Sequence, residues 1–172
     1  MITSNRVVTF GEVMLRLKSP GYERLLQTPQ FEATFGGGEA NVAVSLAQFG
    51  QDVMYITALP RNPIGESCLA YLKGKGVDVS EVIQLGERMG IYYFEAGANQ
   101  KPSRVIYDRG HSAIMDVSPS AFEWRKLLEG AAWFHISGIT PALSATTAEI
   151  SLIAMQNAHE LGIPVSFDYN YR

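Results

Sequence analysis

Four short apolar runs constrain the fold most. They are Val7-Val8-Thr9-Phe10, Val53-Met54-Tyr55-Ile56-Thr57-Ala58, Ala131-Ala132-Trp133-Phe134-His135-Ile136-Ser137 and Val165-Ser166-Phe167-Asp168. Each is short and nearly continuous, the pattern of a strand buried on both faces. Helical spacing fills the gaps between them. Ala40, Ala43, Val44 and Ala47 repeat along one face up to Gln48, with Gly50 as a natural stop. Residues 64–75 read as a short amphipathic helix ending at Gly76. A third helix carries Ala148, Leu152 and Met155, with Thr146 and Glu149 at capping-box spacing and a stop at Gly162 and Pro164. Strands alternating with helices predict an α/β fold with a mostly parallel sheet covered by helices.

Two segments, about 13–35 and 88–110, break that rhythm. In the first, Met14, Arg16 and Lys18 alternate with Val13, Leu15 and Leu17 before a turn at Pro20-Gly21 and a second stretch, Phe31–Phe35. In the second, Gly90–Glu95 and Arg104–Arg109 flank a loop rich in turn residues. Together they predict one small sheet beside the main one. The last apolar run ends at Asp168, where open α/β sheets bind ligands, and no crossover helix follows it. The expectation is that the chain continues past Arg172.

Composition narrows the function classes. Fourteen Lys and Arg against seventeen Asp and Glu leave a net charge of −3, with no broad basic face for nucleic acid or an anionic membrane. No stretch approaches the roughly 18 apolar residues of a membrane span. The opening residues lack a secretory pattern, which points to a cytoplasmic protein. Cys68 is the only cysteine, so an internal disulfide is excluded, and its apolar neighbours predict buried packing. His111, His135 and His159 are too scattered to suggest a metal site.

Three motifs carry candidate chemistry. Gly36-Gly37-Gly38-Glu39-Ala40-Asn41 precedes a helix, so backbone amides can approach a polar ligand without a Cβ in the way. It is a poor dinucleotide fingerprint, because Asn41 stands at the sixth position and no acidic residue closes the next strand. No Walker A sequence is present. Tyr107 and Arg109 share a strand face by alternation, and Tyr92 can join them from the partner strand. Two phenols and a guanidinium suit a small hydroxylated anion, with Arg109 able to take a carboxylate bidentately. Asp168-x-Asn170-x-Arg172 alternates in the same way at the ligand end of the sheet. Taken singly, a glycine-rich turn, a solvated sheet face and a polar loop would explain these motifs equally well.

Their order resembles one family. Phe10-Gly11-Glu12-Val13-Met14-Leu15-Arg16 is similar to the opening of ribokinase (PfkB) family carbohydrate kinases, and Gly36-Gly37-Gly38-Glu39-Ala40-Asn41-Val42-Ala43 resembles their N-terminal signature. Tyr107-Asp108-Arg109-Gly110-His111-Ser112-Ala113, His135-Ile136-Ser137-Gly138-Ile139-Thr140-Pro141 and Asp168-Tyr169-Asn170-Tyr171-Arg172 look like the 2-keto-3-deoxygluconate kinases within it. The resemblance implies a ribokinase-like α/β/α sandwich, incomplete at its C-terminus, with a small β-sheet lid that also builds a homo-oligomer interface. It implies transfer of phosphate from ATP, with Mg²⁺, to the 6-hydroxyl of an acidic sugar. Gly37, Asn41, Tyr92 and Tyr107 would contact the sugar, and Arg109 its carboxylate. Arg172 would sit between sugar and phosphate, with Asn170 and Asp168 on the nucleotide side. Many neutral-sugar members have an aspartate where Arg16 falls, so its arginine favours an acidic sugar. The family's catalytic base is expected beyond Arg172, which would leave residues 1–172 inactive alone. Competing readings are a kinase for fructose, tagatose 6-phosphate or ribose, a non-catalytic module binding an acidic sugar, and, more distantly, a dinucleotide-dependent oxidoreductase.

Overall fold

The computed structural model describes residues 5–171. In chain order its strands are β1 (Val7–Phe10), β2 (Met14–Lys18), β3 (Glu32–Gly36), β4 (Val53–Ile56), β5 (Ala58–Leu59), β6 (Ile83–Gln84), β7 (Ile91–Glu95), β8 (Arg104–Asp108), β9 (Trp133–Ser137) and β10 (Val165–Asp168). The helices are α1 (Gly38–Gln48), α2 (Pro63–Gly74), α3 (Ala113–Asp116), α4 (Trp124–Leu127) and α5 (Ala145–Glu160).

The four apolar runs lie side by side in the order β10-β9-β1-β4, every neighbour parallel. Alternation along each strand sends side chains to both faces. Val8, Phe10, Met54, Ile56, Phe134 and Ile136 point to one side, where they pack with Ile150, Ala154 and Ala158 of α5 and with Phe122 and Trp124. Val53 and Tyr55 point to the other and meet Ala40 and Ala43 of α1 and Cys68 and Leu72 of α2. Two apolar layers on one sheet produce the helix–sheet–helix sandwich. Cys68 is fully buried, and burial pushes its thiol up to about 12, so it serves as packing. Among the described residues, no helix is long and apolar enough to cross a membrane.

Helix ends follow local chemistry, with one correction. Asn62 caps α2 by accepting from the Ile64 and Gly65 amides, and Pro63 occupies the first turn. The capping box of α5 is Ser144 with Thr147, not Thr146 with Glu149. The Ser144 hydroxyl accepts the Thr147 amide at 3.1 Å, and the Thr147 hydroxyl accepts the Ser144 amide at 2.9 Å. Because the helix starts at Ala145, Thr146 already lies inside it, and a threonine hydroxyl replaces the more usual carboxylate.

The second sheet runs β3-β2-β7-β8. Two antiparallel hairpin-like pairs, β2/β3 and β7/β8, are joined by a parallel seam between β2 and β7. The run starting at Val53 breaks at Thr57, where β5 leaves to pair with β6. Residues 111–130 carry no clear period, and they fold as single helical turns.

Candidate functional site

A cavity of about 300 Å³ opens between the second sheet, the glycine run and the carboxyl end of the main sheet. Its roof comes from strand register. Arg16 stands opposite Thr34 on one side and Tyr92 on the other, and Tyr92 stands opposite Tyr107. Directly opposed residues share a sheet face, so Arg16, Tyr92 and Tyr107 form one row above the cavity. The Tyr92 and Tyr107 rings lie 6.1 Å apart, and burial pushes the Tyr92 phenol upward. Phe94 and Val105 extend the row's apolar flank.

The floor is Gly36, Gly37, Gly38 and Asn41, with Ile139 and Asn170 closing one side. Gly37 caps α1 in extended conformation without a side-chain cap. The first-turn amides therefore keep the unpaired donors and partial positive charge of a helix N-terminus. A Cβ at Gly37 would overlap the Glu12 carbonyl oxygen and lie 3.0 Å from its carbonyl carbon. Glycine is required there because two backbones touch.

Two buried acids hold this arrangement from behind. Glu39, 1% exposed, accepts the Ser137 amide at 2.9 Å and the Ser137 and Thr140 hydroxyls at 2.8 Å each, tying the start of α1 to the loop after β9. Glu12, 3% exposed, accepts the Ser112 hydroxyl at 3.1 Å and Arg109 Nε at 2.9 Å, with a second contact from Arg109 Nη2. Neither acid stood out as functional in the sequence. The available signal was a carboxylate set among apolar or small neighbours, Phe10-Gly11-Glu12-Val13 and Gly38-Glu39-Ala40.

The structure brings Gly37, Asn41, Tyr92, Tyr107 and Asn170 to one cavity. Arg109 is elsewhere: its guanidinium is engaged by Glu12, and its Cζ lies 5.1 Å from the centre of the Tyr107 ring. Arg16 occupies the cavity instead. Asp168 ends β10, and its carboxylate accepts the Asn170 amide at 2.9 Å. Asn170 adopts a left-handed φ of 47°, so strand alternation does not run on past Asp168. Arg172 lies outside the described residues. Among the described residues, no three His, Cys, Asp or Glu side chains converge as metal ligands. A larger groove of about 430 Å³ lies along Val42, Leu46, Trp133 and Ser166, but it lacks the glycine amides.

The Glu12–Arg109 pair gives a pH-dependent prediction. Burial raises the Glu12 carboxyl above its ordinary value, while the Arg109 charge and hydrogen bond pull it down, leaving a net rise. A raised acid contributes stability below its unfolded value, and that contribution is lost as pH rises through the folded value. Arg109→Ala removes the opposing pull and raises Glu12 further. The variant is expected to be destabilised by about 2 kcal/mol near pH ~8, less than for a fully buried pair because Arg109 is partly exposed. Urea melts should show the deficit shrinking as pH falls and Glu12 takes up a proton. A deficit that ignores pH would mean that Arg109 contributes packing alone.

A parallel sheet whose carboxyl ends open under a small roofing sheet, with helix amides at the floor, defines an α/β protein with a small cavity at the end of the sheet where such folds bind ligands. Comparison narrows the class. The description of pfkB family carbohydrate kinases matches residues 4–172, and the chain belongs to that family. It is 49% identical to the solved structure of 2-dehydro-3-deoxygluconokinase from Thermotoga maritima, with a TM-score of 0.95 over 98% of this chain and 52% of that one. It is 38% identical to 2-dehydro-3-deoxygalactonokinase of Haloferax volcanii over 96% of this chain and 52% of the relative. It is 31% identical to 2-dehydro-3-deoxygluconokinase of Bacillus subtilis over 96% of this chain and 51% of the relative. The chain thus spans about half the length of these relatives.

Proposed function

We propose that the native protein carrying this sequence transfers phosphate from ATP to the 6-hydroxyl of 2-keto-3-deoxygluconate, yielding the 6-phosphate. The observation that carries this reading is the cavity under the second sheet. It pairs phenols and amides suited to sugar hydroxyls with one cation suited to an acid. The similarity to 2-dehydro-3-deoxygluconokinases supports the same acceptor. In this reading the second sheet is a lid, and Gly37, Asn41, Tyr92 and Tyr107 hold the sugar while water is excluded. Asn170 and Asp168 serve the nucleotide side, and Arg172, outside the described residues, is assigned between sugar and transferring phosphate. Mg²⁺ would be held chiefly by phosphate oxygens and water, as hard cations commonly are at transferring phosphates, with Asp168 and Asn170 the nearest candidate protein donors. It would supply charge neutralisation as phosphate moves.

A homo-oligomer fits the lid's outer face, where Leu17, Tyr93 and Ile106 stand in one cross-strand row. Such a protein would work in the cytoplasm. The Haloferax relative favours a second acceptor, the galactonate epimer. Measuring ADP release by the native gene product with 2-keto-3-deoxygluconate, its galactonate epimer, fructose and ribose tests both readings. The gluconate acid should exceed the neutral sugars in kcat/KM by at least about 100-fold. Preference for fructose or ribose would overturn the acidic-sugar reading, and an epimer preference would move the assignment to the galactonate acid.

A further inference from the structure

The far end of the second sheet carries another concave site, which shares no lining residue with the cavity described above. It encloses about 250 Å³ between the connection from β2 to β3 and the loop from β7 to β8, lined by Arg24, Glu95, Lys101, Pro102, Ser103 and Arg104. One buried acid organises it. Glu95, 6% exposed, accepts the Leu25 amide at 3.0 Å on one carboxylate oxygen and pairs with the Lys101 ammonium at 2.8 Å on the other. The Lys101 hydrogen bond, then the Leu25 amide, hold its carboxyl below the ordinary value. Arg104 stands directly opposite Glu95 in the β7/β8 ladder. The loop itself is fixed. Ala98 and Lys101 exchange both backbone hydrogen bonds, at 3.0 and 2.9 Å, and a Cβ at Gly97 would lie 2.6 Å from the Lys101 carbonyl oxygen. Arg24 and Arg104 form no ion pair among the described residues. Three cations against one carboxylate leave a local excess of two positive charges, on a chain whose net charge is −3.

We propose that this pocket binds a phosphate group, free or carried on a small molecule, between Arg24, Lys101 and Arg104. A phosphate group carries about −1.5 to −2 charge and three strong acceptor oxygens, so it cancels the local excess and offers each cation an oxygen. A single carboxylate would cancel half of it. Guanidinium groups present planar N–H edges that fit phosphate oxygens in pairs. Arg24 and Arg104 are exposed before binding, so turning them toward an anion strands no buried acid. Arg24 belongs to one connection and Lys101 and Arg104 to the other arm, so the bound anion fastens the two together at the end of the sheet. The assignment does not depend on which sugar is the acceptor.

The test is calorimetric titration of the native gene product with inorganic phosphate, glycerol 3-phosphate and malonate, for the wild type and the Arg24→Ala, Arg104→Ala and doubly substituted variants. Phosphate can also enter the nucleotide side of the main cavity, so the pocket's share is read as the difference between wild type and variants. Each single substitution should weaken phosphate binding about 5- to 20-fold, and the double substitution by about 50-fold or more. Arg104→Lys should keep more of the affinity than Arg104→Ala. Circular dichroism melts without phosphate should be alike for all variants, and added phosphate should raise the melting temperature of the wild type more than that of the double variant. Should an alanine variant melt early, Arg24→Gln and Arg104→Gln keep the side-chain stem and remove the charge. Binding of glycerol 3-phosphate as tight as that of inorganic phosphate supports an organic phosphate as the ligand, and binding of inorganic phosphate alone supports the free ion. Malonate binding tighter than either overturns the phosphate assignment. Phosphate affinity unchanged in the folded double variant overturns the site itself. A wild type that binds neither phosphate up to about 20 mM also overturns it, and an oligomer lost in the double variant would then mark the patch as an interface between copies of the chain.

Discussion

Replacing Glu39 with alanine is expected to lower stability by about 3–5 kcal/mol, because the change strands buried donors that have nowhere else to turn. One carboxylate oxygen takes the Ser137 amide, the Ser137 hydroxyl and the Thr140 hydroxyl. The Ser137 amide is rigid backbone, so it cannot rotate toward water when the acceptor goes. Gln at this position keeps an acceptor oxygen and should cost about half as much. Chemical denaturation of both variants decides the matter. Equal losses in Ala and Gln would mean that the negative charge, rather than the hydrogen-bonding oxygen, is what the loop after β9 requires. Gly11 belongs to the same unit, since a Cβ there would overlap the Glu39 carboxylate.

The second large effect is expected at Gly37. Adding one methyl group drives it into the Glu12 carbonyl, and backbone must move because neither partner is a flexible side-chain end. Gly37→Ala should lose about 3 kcal/mol of stability. It should also cut kcat/KM of the native protein by about 100-fold, since displacing the cavity floor misplaces the acceptor. Gly38→Ala is the control. Its Cβ would meet only the Ser137 Oγ at 3.6 Å and the Ile139 Cδ1 at 3.7 Å, ordinary contact distances, and alanine favours the helix. If the two variants melt alike, close packing of the Glu12 carbonyl is not the reason for glycine at position 37.

Much of this architecture was legible because it rests on local periods. A buried strand needs apolar side chains on both faces, and an amphipathic helix needs them every third or fourth residue. The runs at Val7, Val53, Trp133 and Val165 and the repeats at Ala40–Ala47 carry those signatures within a few residues each. Glycines at the helix ends were equally readable, because Gly50, Gly76 and Gly162 take left-handed φ values of 82°, 87° and 69° that other residues resist. The α5 cap was misplaced because several hydroxyl residues cluster there, Ser144, Thr146 and Thr147, and only the observed start of the helix selects among them.

The candidate site divides along the same line. Alternation along residues 104–109 predicts Tyr107 and Arg109 on one face, although β8 itself ends at Asp108, and cross-strand pairing of Tyr92 with Tyr107 followed from the hairpin-like pair. What alternation could not convey was the competition for each charge. Glu12 reaches Arg109 across 97 residues of sequence, and Glu39 reaches Thr140 across 101. The parallel seam between β2 and β7, which sets Arg16 beside Tyr92, is likewise a long-range pairing. Period and turn chemistry in the sequence alone determined the layered α/β fold, the helix stops and the glycine floor. The tertiary structure decided which arginine is neutralised and which one faces the cavity, because a buried charge is matched by whichever group the packed chain brings within a few ångströms of it.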